Sequence, residues 1–313
     1  MSEMLVIDTT GRSDYPPEAL AHLEGLSVRI EPAKAVQEDD VIAAARGATA
    51  ILVTAAYVTR RVQEALQPEL RTVVRYGVGL DRIDLDAARE IGIEVRNTTD
   101  FCTNEVADQS LALIMALSRR ICIHANAVRE GNWGRRGEGP ILRLSGRRAG
   151  VIGFGAIGRA VCRRLQAVGM EVVSHDPYAD EAAARAVDVA LVPMEELVAT
   201  SHVISVNCPL NDETRGLIGA GEFAAMAPGT LIVNTGRGGI IDENALVEAL
   251  RSGMVAGAGL DVLEQEPPPA DHPLLAMENV IITPHMAASS QEAMEELVLG
   301  VFRNLGEALR ATQ

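Results

Sequence analysis

Residues 153–176 read GFGAIGRAVCRRLQAVGMEVVSHD. The apolar run Ala149–Ile152 leads into them as a strand. Glycines 153, 155 and 158 give the spacing G-x-G-x-x-G. Ile157, Val161, Leu165 and Val168 then recur at helical spacing, and Gly169 ends the pattern. A second strand, Glu171–His175, delivers Asp176. Glycine-rich turns are common, so the spacing alone is weak evidence. The strand before, the helix after and the acid at the end of the second strand make it a dinucleotide-binding unit. Gly153 makes the tight turn, Gly155 lets the backbone approach a pyrophosphate, and Gly158 lets the helix pack on the strand. The helix N-terminus, at Ala156 and Ile157, offers unpaired N–H groups and a partial positive charge to phosphates. Asp176 accepts from the ribose hydroxyls. A carboxylate there repels a 2′-phosphate, and no arginine follows at Pro177 or Tyr178, so the cofactor reads as NAD rather than NADP.

Outward from this unit, the 313 residues suggest two domains, and a hydrophobic content of 48% supplies large cores. Aromatics are only 3%, so those cores are built from Ala, Val, Leu and Ile. The net charge of −15 argues against nucleic acid and anionic membranes as partners, since a phosphate backbone needs basic surface. A few local arginines still suffice for a small anionic substrate. Cys102, Cys122, Cys162 and Cys208 are scattered with no C-x-x-C pair, which fits reduced thiols in a cytoplasmic protein with no metal site. No signal peptide or bilayer-length apolar run is expected.

The first hundred residues alternate strand patterns (4–7, 27–30, 50–53, 72–75, 93–96) with helical ones, the signature of a parallel sheet covered by helices. Asp84 and Gly92 are the natural N-cap and stop of a helix over 85–91. The turn Tyr76-Gly77-Val78-Gly79 follows a strand; it is either a plain tight turn or a set of N–H donors for a carboxylate. One long helix is expected from Asn104 to about Val128, apolar nearly all round at 111–117, and hence buried in its domain or covered by another subunit. Residues 131–143, with the only tryptophan, Trp133, read as an arm that serves an interface or is merely an exposed loop. Alternation resumes after the fingerprint, with strands expected at 203–206, 230–234, 255–260 and 280–283. A final helix over about 290–309 is expected to pack back on the N-terminal domain. The organisation expected is therefore α/β with two doubly wound parallel-sheet domains: residues 1–98 with 287–313, and residues 99–286, with a cleft between them.

Three side chains beyond strand ends stand out as chemistry. Arg237 lies in a glycine-flanked turn after a strand and can grip a carboxylate bidentately. His285, after Thr283-Pro284, can exchange a proton near neutral pH. Glu266 can orient such a histidine and keep it protonated. Singly, each is more often a surface or structural residue, and spacing does not prove that they converge.

Over essentially its full length the chain resembles the D-isomer-specific 2-hydroxyacid dehydrogenases. The resemblance is carried by residues 153–158, by NCPLNDETR at 207–215, VNTGRGG at 233–239, GLDV at 259–262 with Glu266-Pro267, and Thr283-Pro284-His285. It implies a Rossmann NAD-binding domain plus a flavodoxin-like substrate domain. It implies that Arg237 binds and activates a 2-oxoacid and that His285 is the proton donor, with Glu266 its partner. Backbone groups at Val78 and Gly79, beside Tyr76, would hold the substrate carboxylate. Asp261 would meet the nicotinamide carboxamide, and Cys208, Pro209, Thr214, Thr235, Arg237 and His285 would line the cofactor. A homodimer through the nucleotide domain is the family habit.

Glu266 is an acid where formate dehydrogenases of this fold carry glutamine, which argues against formate. Residues 100–108 and 285–290 are similar to the branch that contains the C-terminal-binding protein corepressors, although Ala288 and Ser289 replace an aromatic pair common there. A 3-phosphoglycerate dehydrogenase stays open, although the chain leaves no evident room for a regulatory domain. Phosphite oxidation would want a lysine in the 76–79 turn, and Lys34 is the only lysine. The second class of function kept open is an NAD-sensing, corepressor-like binding module with little turnover.

Overall fold

The structure, a computed structural model, describes residues 3–134 and 140–312. The chain divides into two compact units, Met1–Cys102 with Ser290–Gln313, and Thr103–Ser289.

The first unit holds strands β1 (Met4–Asp8), β2 (Val28–Pro32), β3 (Ala50–Val53), β4 (Thr72–Arg75) and β5 (Glu94–Asn97). They form one parallel sheet in the order β2-β1-β3-β4-β5. This is the flavodoxin-like order. Side chains alternate across the strands, so each strand feeds two cores. Ile7, Ile51, Val53 and Val73 pack with the helices on one face. Val6, Leu52, Val74 and Tyr76 pack on the other with Val298, Val301, Phe302 and Leu305 of the C-terminal helix, Gln291–Ala311. That helix therefore returns to the N-terminal sheet. The side chain of Ser290 caps it by accepting the Ala293 N–H. Asp84 caps the helix Leu85–Ile91 through the Ala87 N–H, and Gly92 ends it in the left-handed conformation.

The second unit holds β6 (Arg148–Ile152), β7 (Glu171–His175), β8 (Ala190–Leu191), β9 (Val203–Val206), β10 (Thr230–Asn234), β11 (Val255–Leu260) and β12 (Val280–Ile282). All are parallel, in the order β12-β11-β10-β9-β6-β7-β8. Counted from β6, this is the doubly wound order 3-2-1-4-5-6 with one strand added, and it reverses direction between β6 and β9. Ile152, Ile204, Val206, Ile232 and Leu260 face one core, and Val151, Val203, Leu231 and Val233 the other. The near-continuous apolar runs of β9 and β10 follow from this, because both faces of a parallel sheet are covered.

The short elements invisible to periodicity include helices Pro17–Leu20 and Glu181–Arg185 and the two-residue β8. The expected long helix over 104–128 is a correction. It is two helices, Thr103–Arg119 and Ile121–Arg129, bent by 63°. The break is Arg120, whose φ of 53° is left-handed; with no glycine or proline there, the sequence carries no warning. In the first of the two, Leu113, Ile114 and Leu117 are buried in the sheet-facing core. Among the described residues no single helix is long and apolar enough to cross a membrane; only this bent pair, taken together, passes by length and composition.

Candidate active site

The fingerprint turn sits where the strand order reverses. Gly153 follows β6 with a φ of 92°, and a Cβ built on it would lie 2.8 Å from the Cys208 backbone N. The two turns beyond β6 and β9 are thus in backbone contact, which only glycine permits. A Cβ on Gly158 would lie 2.0 Å from the Gly153 carbonyl oxygen, so the helix Ala156–Ala167 packs on its own turn. A Cβ on Gly155, the N-cap, would meet nothing within 4 Å. Open space at the helix N-terminus, with tight packing either side, fits a pyrophosphate.

Asp176 directly follows β7 and closes the turn. Its Oδ2 accepts the Phe154 N–H at 2.7 Å, and its Oδ1 accepts the Tyr178 N–H at 2.9 Å. Each oxygen keeps lone-pair capacity for a ribose hydroxyl. The residues present therefore fit a dinucleotide. Cys208 is half-buried, and burial pushes its thiol up to about 11, so it stands there as a neutral group. The Thr214 hydroxyl donates to the Pro209 carbonyl at 2.6 Å and accepts the Asn211 N–H at 2.8 Å, folding the 209–214 loop on itself. Thr235 is buried, with its hydroxyl 2.8 Å from that of Ser110 on the helix Thr103–Arg119.

Arg237, Glu266 and His285 all lie beyond strand ends of this sheet, and two of them touch. His285 Nδ1 is 2.7 Å from Glu266 Oε2. Glu266 Oε1 accepts the Leu263 N–H at 3.0 Å. Partial burial alone would raise the Glu266 carboxyl. The hydrogen bonds from His285 and Leu263, with the nearby charges of His285 and Arg237, outweigh that and hold it below its usual range. Arg237 is therefore in electrostatic reach of the pair.

Buried groups fix the turns that present these side chains. Asn234 donates from Nδ2 to the Arg237 carbonyl at 2.8 Å and accepts the Gly236 N–H at 3.0 Å, shaping the Arg237 turn. A Cβ on Gly238 would lie 1.9 Å from the Leu263 carbonyl oxygen, so that turn packs directly on the Glu266 loop. Asp261 is 1% exposed. Its Oδ1 accepts the Thr283 hydroxyl at 2.5 Å and the Met286 N–H at 3.0 Å, and its Oδ2 accepts the Ala287 N–H at 2.8 Å. Its backbone carbonyl also accepts the His285 N–H at 2.8 Å. The sequence marked Asp261 only through a resemblance, as a cofactor contact. Here its carboxylate organises the turn that holds His285 at its left-handed φ of 52°. Gln109 braces the same turn by donating to the Thr283 hydroxyl at 3.1 Å. Sequence reading missed Gln109, which lies 174 positions from its partner with no motif of its own.

In the first unit, the turn after β4 has its carbonyls drawn inward. Tyr76 O accepts from Arg75, Gly77 O from the Thr98 N–H at 3.2 Å, Val78 O from Asn97 at 2.6 Å and Gly79 O from Arg75 at 3.1 Å. No hydrogen bond from the N–H groups of Gly77, Val78 or Gly79 occurs among the described residues. Tyr76 is buried, and its hydroxyl donates to the buried Asp8 at 2.9 Å, so its side chain supports the turn from beneath.

Residues 111–287 match the family described as D-isomer specific 2-hydroxyacid dehydrogenase, NAD binding domain. The chain belongs to the D-isomer-specific 2-hydroxyacid dehydrogenases. It is similar to the D-3-phosphoglycerate dehydrogenase of Archaeoglobus fulgidus, with 40% identity over 278 residues, 88% of this chain and 52% of that one. It is also similar to the glyoxylate reductase of Korarchaeum cryptofilum, with 41% identity over 242 residues, 76% of this chain and 73% of that one. A solved glyoxylate reductase from Paecilomyes thermophila superposes with a TM-score of 0.89 at 31% identity, covering 100% of this chain and 97% of that one. The chain spans about half the length of the first of these relatives. Family membership accounts for the two parallel-sheet units and for the dinucleotide fit at Gly153–Asp176.

Proposed function

We propose that this protein interconverts a 2-oxoacid and a D-2-hydroxyacid with NAD as the redox partner. The observation that carries this reading is the His285–Glu266 contact of 2.7 Å beside the charge of Arg237. NAD(H) supplies or accepts a hydride at the substrate C2 when bound. The protein does the rest. Arg237 binds the carboxylate and the carbonyl oxygen and stabilises charge as it develops on that oxygen. Glu266 accepts a hydrogen bond from the Nδ1–H of His285, which leaves the Nε2–H of the protonated ring to give its proton to the developing alkoxide; in oxidation Nε2 of the neutral ring removes it. Asp176 selects NAD over NADP, and the turn that follows the buried Tyr76 offers the N–H groups of Val78 and Gly79 to the substrate carboxylate. The first unit is then the substrate domain and the second the NAD-binding domain. Cys208, Pro209, Thr214, Thr235, Asp261, Ala156 and Ile157 enter as cofactor-lining positions.

The relatives named above are dehydrogenases and reductases, so the corepressor-like alternative is not favoured. They also divide over substrate, between a phosphorylated acid and glyoxylate. A homodimer and a cytoplasmic setting belong to the same proposal. Ile121, Val128 and Trp133 leave large apolar side chains exposed on and after the helix Ile121–Arg129, which supports a covered face there. Part of the expected arm, residues 135–139, lies outside the described residues. Light scattering of the purified protein tests the dimer.

The deciding experiment is NADH oxidation at about 340 nm against glyoxylate, pyruvate, hydroxypyruvate, and branched, aromatic and phosphorylated 2-oxoacids, with NADPH and His285→Ala as controls. Turnover that needs His285 and prefers NADH is expected. Equal turnover in the variant sinks the assignment.

A further inference from the structure

The loop that carries Glu266 is held by a second carboxylate that the reaction does not touch. Glu243 opens the helix Glu243–Arg251, next to the N-cap Asp242. Its Oε1 accepts the Glu264 N–H at 2.6 Å, and its Oε2 lies 3.0 Å from His272 Nε2. Both side chains are largely buried, 14% exposed for Glu243 and 17% for His272. His272 Nδ1 accepts the Leu274 N–H at 3.4 Å, which assigns the ring proton to Nε2 and makes that atom the donor to Glu243. One carboxylate therefore ties residues 264 and 272, the two flanks of the Pro267-Pro268-Pro269 turn, to a single helix end.

The neighbouring amide does the complementary job. Leu263 N–H binds Glu266 Oε1, while Glu266 Oε2 faces His285. Two consecutive N–H groups are thus shared out between two carboxylates, one structural and one in the acid–base pair. The close approach of Gly238 to Leu263 leaves the loop little room to rearrange on its other side.

We propose that Glu243, with His272, is a positioning residue for the acid–base pair. By engaging the Glu264 N–H and His272 it fixes the loop in the one shape that sets Glu266 on both the Leu263 N–H and His285. Without it, the Glu264 N–H loses its acceptor, the 264–272 segment loses its tether, and Glu266 samples orientations that leave His285 unpaired. The proposal rests on the reading of Glu266 as the partner of His285 in turnover.

The test is a double-mutant cycle of wild type, Glu243→Ala, Glu266→Gln and the double variant. It is assayed with NADH and glyoxylate, pyruvate or hydroxypyruvate, while NADH fluorescence gives Kd and thermal melting reports folding. Glu243→Ala is expected to lower kcat about tenfold to a hundredfold with NADH Kd and substrate KM unchanged, as misplacement of a reacting group does. The double variant is expected to be no slower than Glu266→Gln, because the two residues act on one path. Glu243→Gln, which keeps an oxygen for the Glu264 N–H, should recover part of the rate. His272→Ala should show a smaller loss of the same sign. Wild-type kcat in Glu243→Ala or His272→Ala, or a double variant slower by the product of the single effects, overturns the proposal while leaving the acid–base reading intact. Wild-type kcat in Glu266→Gln removes the acid–base reading and this proposal with it.

Discussion

Two turns of the second sheet do different physical work. The turn after β6 is built by leaving side chains out: Gly153, Gly155 and Gly158 bring backbone against backbone and leave one open space at a helix N-terminus. The turn after β12 is built by putting charged and polar side chains in, with Asp261 collecting three hydrogen bonds so that His285 points at Glu266. The first is damaged by adding atoms and the second by removing them. A binding site for a phosphate group can be made from the main chain alone. A proton-transfer site needs side chains with lone pairs, and those must be held by others.

The largest expected effect breaks the second turn and spares the first. His285→Ala should lose about 10²–10⁴-fold in kcat while NADH affinity, read by fluorescence, stays at the wild-type value. A matching loss of NADH binding would mean that the two turns are not separable.

Next in size is Asp261→Asn. Its amide NH₂ would face an N–H donor in place of an acceptor, so the Thr283–Ala287 turn should loosen at a cost of about 1–3 kcal/mol. The kcat should fall about 10²-fold through displacement of His285. Chemical denaturation and steady-state rates measured together check both parts, and a stability loss with an undisturbed kcat would show that the turn does not position His285.

The first turn is sharpened by a pair of alanines. Gly158→Ala places a methyl 2.0 Å from the Gly153 carbonyl oxygen and should destabilise the unit by about 1–3 kcal/mol or more. Gly155→Ala meets nothing within 4 Å, so its melting temperature should hold while NADH affinity drops. Equal melting losses in both would deny that Gly155 is kept open for a ligand.

The smallest effect is electrostatic. Glu266 is held below its usual range, so its ionised form stabilises the fold above the ordinary glutamate value of about 4.3. That contribution is lost as pH falls through the lower folded value. The side chain is 31% exposed, so the effect should stay below about 1 kcal/mol. The melting difference between about pH 7 and pH 4 should narrow slightly in Glu266→Gln. A wider difference would have the sign wrong.

The two turns also differ in how much of them could be read in advance. The parts of the first lie within 24 residues in an order that mirrors strand, turn, helix and strand, so spacing identified it. The strands 50–53, 72–75, 171–175, 203–206, 230–234 and 255–260 were legible as short, mostly apolar runs, since a strand covered on both faces has few polar positions. Arg237, Glu266 and His285 could be singled out as chemistry beyond strand ends, but their meeting could not. The break at Arg120 was hidden because a left-handed arginine leaves no mark in an apolar pattern.

The sequence by itself determined the alternation of strands and helices, the glycine-rich turn after β6 with Asp176 beyond the next strand, and the helix caps at Asp84 and Gly92. These depend on residues close in the chain, where local sterics and periodicity suffice. Only the tertiary structure decided that Asp261 holds the turn of His285, that Tyr76 spends its hydroxyl on Asp8, and that Glu243 and His272 fix the loop of Glu266. A buried polar atom must find a partner wherever the fold brings one, and the sequence carries no distance between residues that only packing makes neighbours.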